Sequence, residues 1–180
     1  MTNWAPALLT LRALELGWPR PQMIDDVRNS VMRAIEMAFA DNPYPADKGL
    51  LHPQCMDDED IRDFYGRTTW LNIPGEVIDR NNASLCFFSP EAYRFYLPAY
   101  LIWALRNFDS SDSFTVDSTI YSLTPGEGDL RRFSLSKFAL LDVDQRRAVL
   151  DFLKYLAEHG GGMVDQHAVQ KAIAYWSSVQ

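Results

Sequence analysis

The sequence is short of the residues that build covalent or metal-held scaffolds. It has two cysteines, Cys55 and Cys86, and neither sits in a Cys-x-x-Cys pair. Two thiols in 180 residues make no disulfide framework. Three histidines, His52, His159 and His167, are scattered, whereas a zinc site holds three or four ligands rigidly. Basic residues are in deficit: 17 Lys and Arg face 24 Asp and Glu, a formal net charge of −7. That balance disfavours broad contact with nucleic-acid phosphates and docking on anionic membranes, so neither partner is expected. The longest apolar run, residues 95–105, falls short of the roughly 20 residues that cross a bilayer. The N-terminus lacks a basic segment followed by an apolar run, so no secretion signal is read and a cytoplasmic location is expected. No P-loop, dinucleotide-binding glycine pattern, HExxH or zinc-finger spacing occurs. No cofactor, metal-ligand set or catalytic residue is therefore assigned.

What is present is a core. The chain is 47% apolar and 13% aromatic, which suits one globular domain and argues against disorder. It is organised around residues 87–105. Ser89-Pro90-Glu91 starts a helix: a capping hydroxyl, a proline where no N–H is needed, and a carboxylate at the positive end of the helix dipole. From Ala92 to Leu105 the only charge is Arg94. A helix apolar nearly all round is buried nearly all round. Pro98 inside it removes the bond back to the Arg94 carbonyl, so a kink is expected and that carbonyl needs another donor. Arg94 is also placed to pair with Glu91, three residues away.

Trp70, Ile73-Pro74, Leu85 and the run from Phe88 through Ser89-Pro90-Glu91-Ala92-Tyr93-Arg94-Phe95-Tyr96-Leu97-Pro98-Ala99-Tyr100-Leu101 form a pattern. Leu140, Gln145, Ala148-Val149, Phe152-Leu153 and Tyr175-Trp176 continue it. The pattern resembles a family of small bacterial proteins known only as a domain of unknown function. The resemblance runs from Ile24 to Trp176 and implies a soluble bacterial protein. It brings no activity and no catalytic residues. The first twenty residues look like an addition to the usual family length.

The rest of the chain reads as helices around the central one. Residues 4–16, apolar at Leu8, Leu9, Leu11, Leu14 and Leu16, suggest a short helix stopped by Gly17 and Pro19, able to dock on the main body or reach a partner. Residues 21–40 are clearly amphipathic, with Ile24, Val27, Val31, Ala34, Ile35, Ala38 and Phe39 on one face. Residues 58–65 begin with acids and end at Gly66; residues 70–73 read as extended; residues 74–79 read as a helical turn and 80–83 as a loop. Residues 114–123 carry β-branched residues, yet helix is favoured by their neighbours. Residues 130–141 read as irregular with a short helical piece. Asp142 and Gln145 form a capping box for residues 142–159, and Asp165 caps a last helix. The fold class is all-α: a single compact helical domain, residues 21–180, around a buried central helix at residues 89–108, preceded by an N-terminal helical extension, residues 1–20.

Four constellations carry residues of a chemically active type. His159-Gly160-Gly161-Gly162 is similar to an esterase oxyanion loop, but the Gly-x-Ser-x-Gly elbow that loop serves is missing; a helix stop with Gly160 left-handed accounts for it. His52-x-x-Cys55 with Asp57-Asp58-Glu59-Asp60 lacks a full ligand set, so the acids read as a helix start, a solvated loop or a partner-binding patch. Cys86, in an apolar run, is expected to be buried and inert. Tyr93, Arg94, Tyr96, Pro98 and Tyr100 either line a pocket at the kink or fill core with their hydroxyls on carbonyls or at the surface. The leading functional expectation is an acidic protein-binding domain. Its sharpest form is an immunity-type inhibitor that covers a basic bacterial toxin or effector, with Asp57, Asp58, Glu59 and Asp60 in contact. The alternatives are a small-ligand binder or enzyme using the Arg94–Pro98 pocket, and a homodimer or scaffold piece joined through residues 4–16.

Overall fold

A computed structural model describes residues 20–53, 55 and 58–179. The expected helix at residues 4–16, and Asp57 of the acidic run, lie outside the described residues. Among the described residues the architecture is all-α. The helices are α1 (Arg20–Ala38), α2 (Gly75–Arg80), α3 (Ser84–Phe87), α4 (Pro90–Asn107), α5 (Thr115–Ser122), α6 (Gly128–Phe138), α7 (Val143–His159) and α8 (Gln166–Ser178). Short 3-10 turns lie at Asp47–Gly49, Glu59–Phe64 and Gly161–Met163.

α4 is the axis. Ser89 Oγ accepts from Ala92 N at 3.1 Å and donates to Gly49 O at 2.6 Å, so the cap also ties the helix start to the preceding loop. That tie is reinforced by the antiparallel bridge between Leu51 and Phe88. Twelve of the eighteen residues of α4 are buried, and α1, α2, α3, α5, α6 and α7 pack against it. α8 lies on α7 and α5. α1 runs antiparallel to α4: Arg28 reaches Asp109 beyond the end of α4, while Asn42 reaches Arg94 near its start. Tyr93, Tyr96 and Tyr100 are fully buried. Their hydroxyls donate to Ser122 O, to Phe64 O and Arg67 O, and to Asn81 O, so each ring fills core while its polar tip is satisfied.

Several local expectations are corrected. Residues 70–73 turn instead of extending: Trp70 is buried with its indole N–H on Phe39 O at 3.3 Å, while Leu71, next to it in the turn, is exposed. Residues 80–83 do not lead directly to the central helix; α3 intervenes. The segment read as irregular is the three-turn helix α6. Its serines, Ser134 and Ser136, satisfy their hydroxyls on carbonyls of their own helix, Leu130 O and Phe133 O, so they do not break it. At the end of α7 the left-handed residue is Gly161 (φ 51°), and Gly160 is right-handed. Gly160 is instead required by space: a Cβ there would stand 2.5 Å from Leu156 O. Cys86 is exposed, not buried.

Candidate functional site

Four polar side chains, Asn42, Arg94, Asp142 and Gln145, meet where α1 ends, α4 begins and α7 begins. Pro98 leaves the Arg94 carbonyl without its helical donor, and Asn42 Nδ2 fills the vacancy at 2.9 Å. Asn42 Oδ1 accepts in turn from Gln145 Nε2 at 2.8 Å, and the same nitrogen donates to Ala38 O at 3.1 Å. Gln145 Oε1 accepts from Arg94 Nε at 3.0 Å and from Asp142 N at 3.3 Å. Gln145 is 1% exposed, and both donors and both lone pairs of its amide are used. Arg94 Nη2 lies 3.5 Å from Asp142 Oδ2, so Arg94 turns towards α7. Glu91, expected as its partner, forms no ion pair among the described residues.

A shallow cavity of about 140 Å³ opens beside this knot, lined by Asn42, Pro43, Glu91, Arg94, Phe95 and Leu140. Its wall is mainly the apolar Pro43, Phe95 and Leu140, and Glu91 is its one carboxylate. Asp41 and Asp144 are exposed next to these elements and form no ion pair among the described residues. Asp47 is linked to Phe95, part of this cavity's wall, through Tyr44. Tyr44 packs its ring edge-on to Phe95 at 5.3 Å and donates its hydroxyl to Asp47. Burial and then the Asp47 carboxylate push the Tyr44 hydroxyl up to about 12, while Gly66 N and Tyr44 hold Asp47 below the usual carboxylate range.

A family model described as a family of unknown function, DUF6714, matches residues 27–180. The chain belongs to this family. The match takes in every residue of the Asn42–Arg94–Gln145–Asp142 knot and leaves residues 1–26 outside. No curated protein and no solved structure shows a significant match to the chain.

Of the residues read as a pocket at the kink, Arg94 borders the cavity, whereas Tyr93, Tyr96 and Tyr100 are spent on core and carbonyls. The acidic run is distributed differently. Asp58 accepts from Arg62 Nη2 at 3.1 Å and from the Tyr65 hydroxyl at 3.2 Å, and these bonds, Arg62 first, hold its carboxyl low. Glu59 is exposed, and Asp60 follows it in the Glu59–Phe64 turn. Burial and then the bond to Asp58 push the Tyr65 hydroxyl up.

Lys137 went unread in the sequence. It is 4% exposed. Its Nζ donates to Leu85 O at 2.7 Å and Cys86 O at 3.2 Å, capping α3, and stands 3.8 Å from the centre of the Phe133 ring. Burial lowers the amine to about 8. His52 packs its ring edge-on to Phe133 at 4.2 Å and is pushed below the ordinary histidine range by burial and then by Lys137. The sequence signal, a lysine next to Phe138 in an otherwise amphipathic stretch, is weak because most lysines are solvated. Among the described residues no group of three or more His, Cys, Asp and Glu is placed to hold a metal ion. No helix among them is long and apolar enough to cross a membrane.

Proposed function

We propose that the chain is a bacterial, cytoplasmic protein-binding domain, in its sharpest form an immunity-type inhibitor, that receives a basic partner on the acidic face around Glu91. One observation carries this reading: an apolar cavity large enough for one long side chain, with Glu91, which forms no ion pair among the described residues, on its wall, and the exposed Asp41 and Asp144 adjacent in sequence to Asn42 and Gln145. A lysine or arginine of the partner lays its aliphatic stem on Phe95 and Leu140 and points its cation at Glu91. In this reading Asp58, Glu59 and Asp60, with Asp57, are further contacts for that basic partner. The net charge of −7 then steers a basic toxin or effector in and raises its association rate.

The test is capture of a partner from the native cells in low and high salt, followed by association kinetics with Glu91→Lys/Asp144→Lys. The expected result is one stoichiometric partner, lost in high salt, whose association slows about tenfold or more on charge reversal. Binding that is indifferent to salt and to the reversal overturns the reading. The inhibitor form also requires that the partner be toxic when expressed alone.

A further inference from the structure

Cys55 and Cys86, the two cysteines of the chain, are distant in sequence. Both are free thiols, Cys86 exposed and Cys55 half-buried. The backbone brings their segments together. Leu51 and Phe88 form an antiparallel bridge. Ser89 N donates to Leu50 O at 2.7 Å on one side of it, and His52 N to Phe87 O at 2.9 Å on the other. Residues facing each other in such a pairing stand about 4.5–5.5 Å apart, Cα to Cα. Beyond His52 the chain turns at Pro53, and Cys55 N donates back to His52 O at 2.9 Å. That turn keeps Cys55 within about 7 Å of His52, Cα to Cα. Cys86 immediately precedes Phe87, the residue that holds His52. The far side is fastened as well. The Glu59–Phe64 turn packs on α3, and the Phe64 ring stands edge-on to Phe88 at 5.0 Å. Cys55 therefore sits in a short bight whose two ends are both held to the segment that carries Cys86.

We propose that Cys55 and Cys86 are a redox pair that closes into a reversible intramolecular disulfide when a hydroperoxide reaches Cys86. A third group marks the same spot. Lys137 Nζ donates to Cys86 O at 3.2 Å. Burial lowers this amine, and Cys86 and then Cys55 act against that shift, so both sulfurs lie within electrostatic reach of one nitrogen. Cys86 is the more accessible thiol and reacts first. With hydrogen peroxide its Sγ attacks one peroxide oxygen: an S–O bond forms, the O–O bond breaks, and water leaves with the thiol proton. Cys55 Sγ then attacks the Cys86 sulfenic sulfur. The S–S bond forms, the S–O bond breaks, and a second water leaves with the Cys55 proton. The two thiols lose two electrons in all, and one peroxide gains them. A thiol reductant in excess reopens the bond by exchange. The closed bond pins residue 55 to α3, and so fixes where the chain sets out for the Glu59–Phe64 turn.

Treatment of the full-length protein with a slight excess of hydrogen peroxide, followed by tryptic mapping without reduction, tests the idea. Cys55 lies in the tryptic peptide 49–62 and Cys86 in the peptide 81–94. The expected product is these two peptides joined, from a species whose solution mass is one chain, and dithiothreitol separates them. Closure in the folded protein is at least about tenfold faster than in the same chain in urea, because the fold raises the effective concentration of one thiol at the other. Cys55→Ser stops the reaction at the Cys86 sulfenic acid, which dimedone traps, and a thermal melt shows the variant still folded. Closure no faster in the folded protein than in urea overturns the proposal. So does a disulfide that joins two copies of the chain, and so does oxidation of Cys86 to the sulfinic acid while iodoacetamide still caps Cys55. Two thiols that both remain open to iodoacetamide after the peroxide overturn it as well.

Discussion

The residue that most shapes its surroundings is Pro98, through the hydrogen bond it cannot make. The Arg94 carbonyl it releases is satisfied by Asn42, 52 residues earlier in the chain. Leaving such a carbonyl unpaired costs about 1–3 kcal/mol, so Asn42→Ala is expected to destabilise the protein by that amount. The cause can be isolated. In a Pro98→Ala background the residue at 98 regains an N–H that returns to the Arg94 carbonyl, and Asn42→Ala then costs about 1 kcal/mol less. Urea denaturation of the four proteins in the cycle measures this, and equal costs in both backgrounds would show that Asn42 acts elsewhere. The need for a donor was legible from Pro98 alone, because it follows from covalent structure. The donor's identity was not, because an asparagine at a helix exit has many local uses and nothing in the sequence marks a partner that distant. Gln145 shows the same limit: its capping-box role is local and readable, and its bonds to Ala38, Asn42 and Arg94 are tertiary.

At the scale of elements, the helices that could be read are those whose ends carry their own chemistry. α4, α7 and α8 start at Ser89, Asp142 and Asp165, and each side chain accepts from the backbone as expected. α6 starts at Glu127, which makes no side-chain cap. Its buried residues are Lys137 and Phe138, so the apolar period that announces a helix is interrupted by an ammonium group. The legible and illegible starts should therefore differ in energy. Ser89→Ala is expected to cost about 1–2 kcal/mol, since the cap to Ala92 and the tie to Gly49 are both lost. Glu127→Ala, exposed and uncapping, should stay within about 0.5 kcal/mol. Paired denaturation curves decide it, and a Ser89→Ala cost as small as that of Glu127→Ala would mean that α4 is held by packing alone.

For the whole molecule, stability against pH depends on a few groups pushed in definite directions. Asp63 and Asp165 are held below the usual carboxylate range, by Asn81 and Arg80 and by the Ala168 N–H with Tyr121 respectively, as Asp47 and Asp58 are by their own partners. Each contributes stability above the ordinary carboxylate range that is lost as pH falls through its folded value. Asp151, raised by burial, opposes them in the same acid range. His52 is held low, so its contribution rises as pH climbs to the ordinary histidine range and stays level above it. Lys137, brought from 10.5 to about 8 by burial, acts higher up. Between those values the unfolded chain holds a proton the folded chain lacks, so stability rises with pH, by on the order of 3 kcal/mol in full. Burial raises the hydroxyls of Tyr93, Tyr96 and Tyr100, which removes stability as pH climbs beyond the ordinary tyrosine range. The maximum is therefore expected near about pH 9–10, above the usual range of about 5–8. Denaturation midpoints across that range test the assignment, with Lys137→Met as the discriminating variant. It should flatten the rise that begins near pH 8 and leave the tyrosine-driven fall intact. A wild type already flat there, or a variant with the same rise, would mean that the Lys137 amine, hydrogen-bonded to Leu85 O and Cys86 O, keeps its proton as readily in the folded protein as in water.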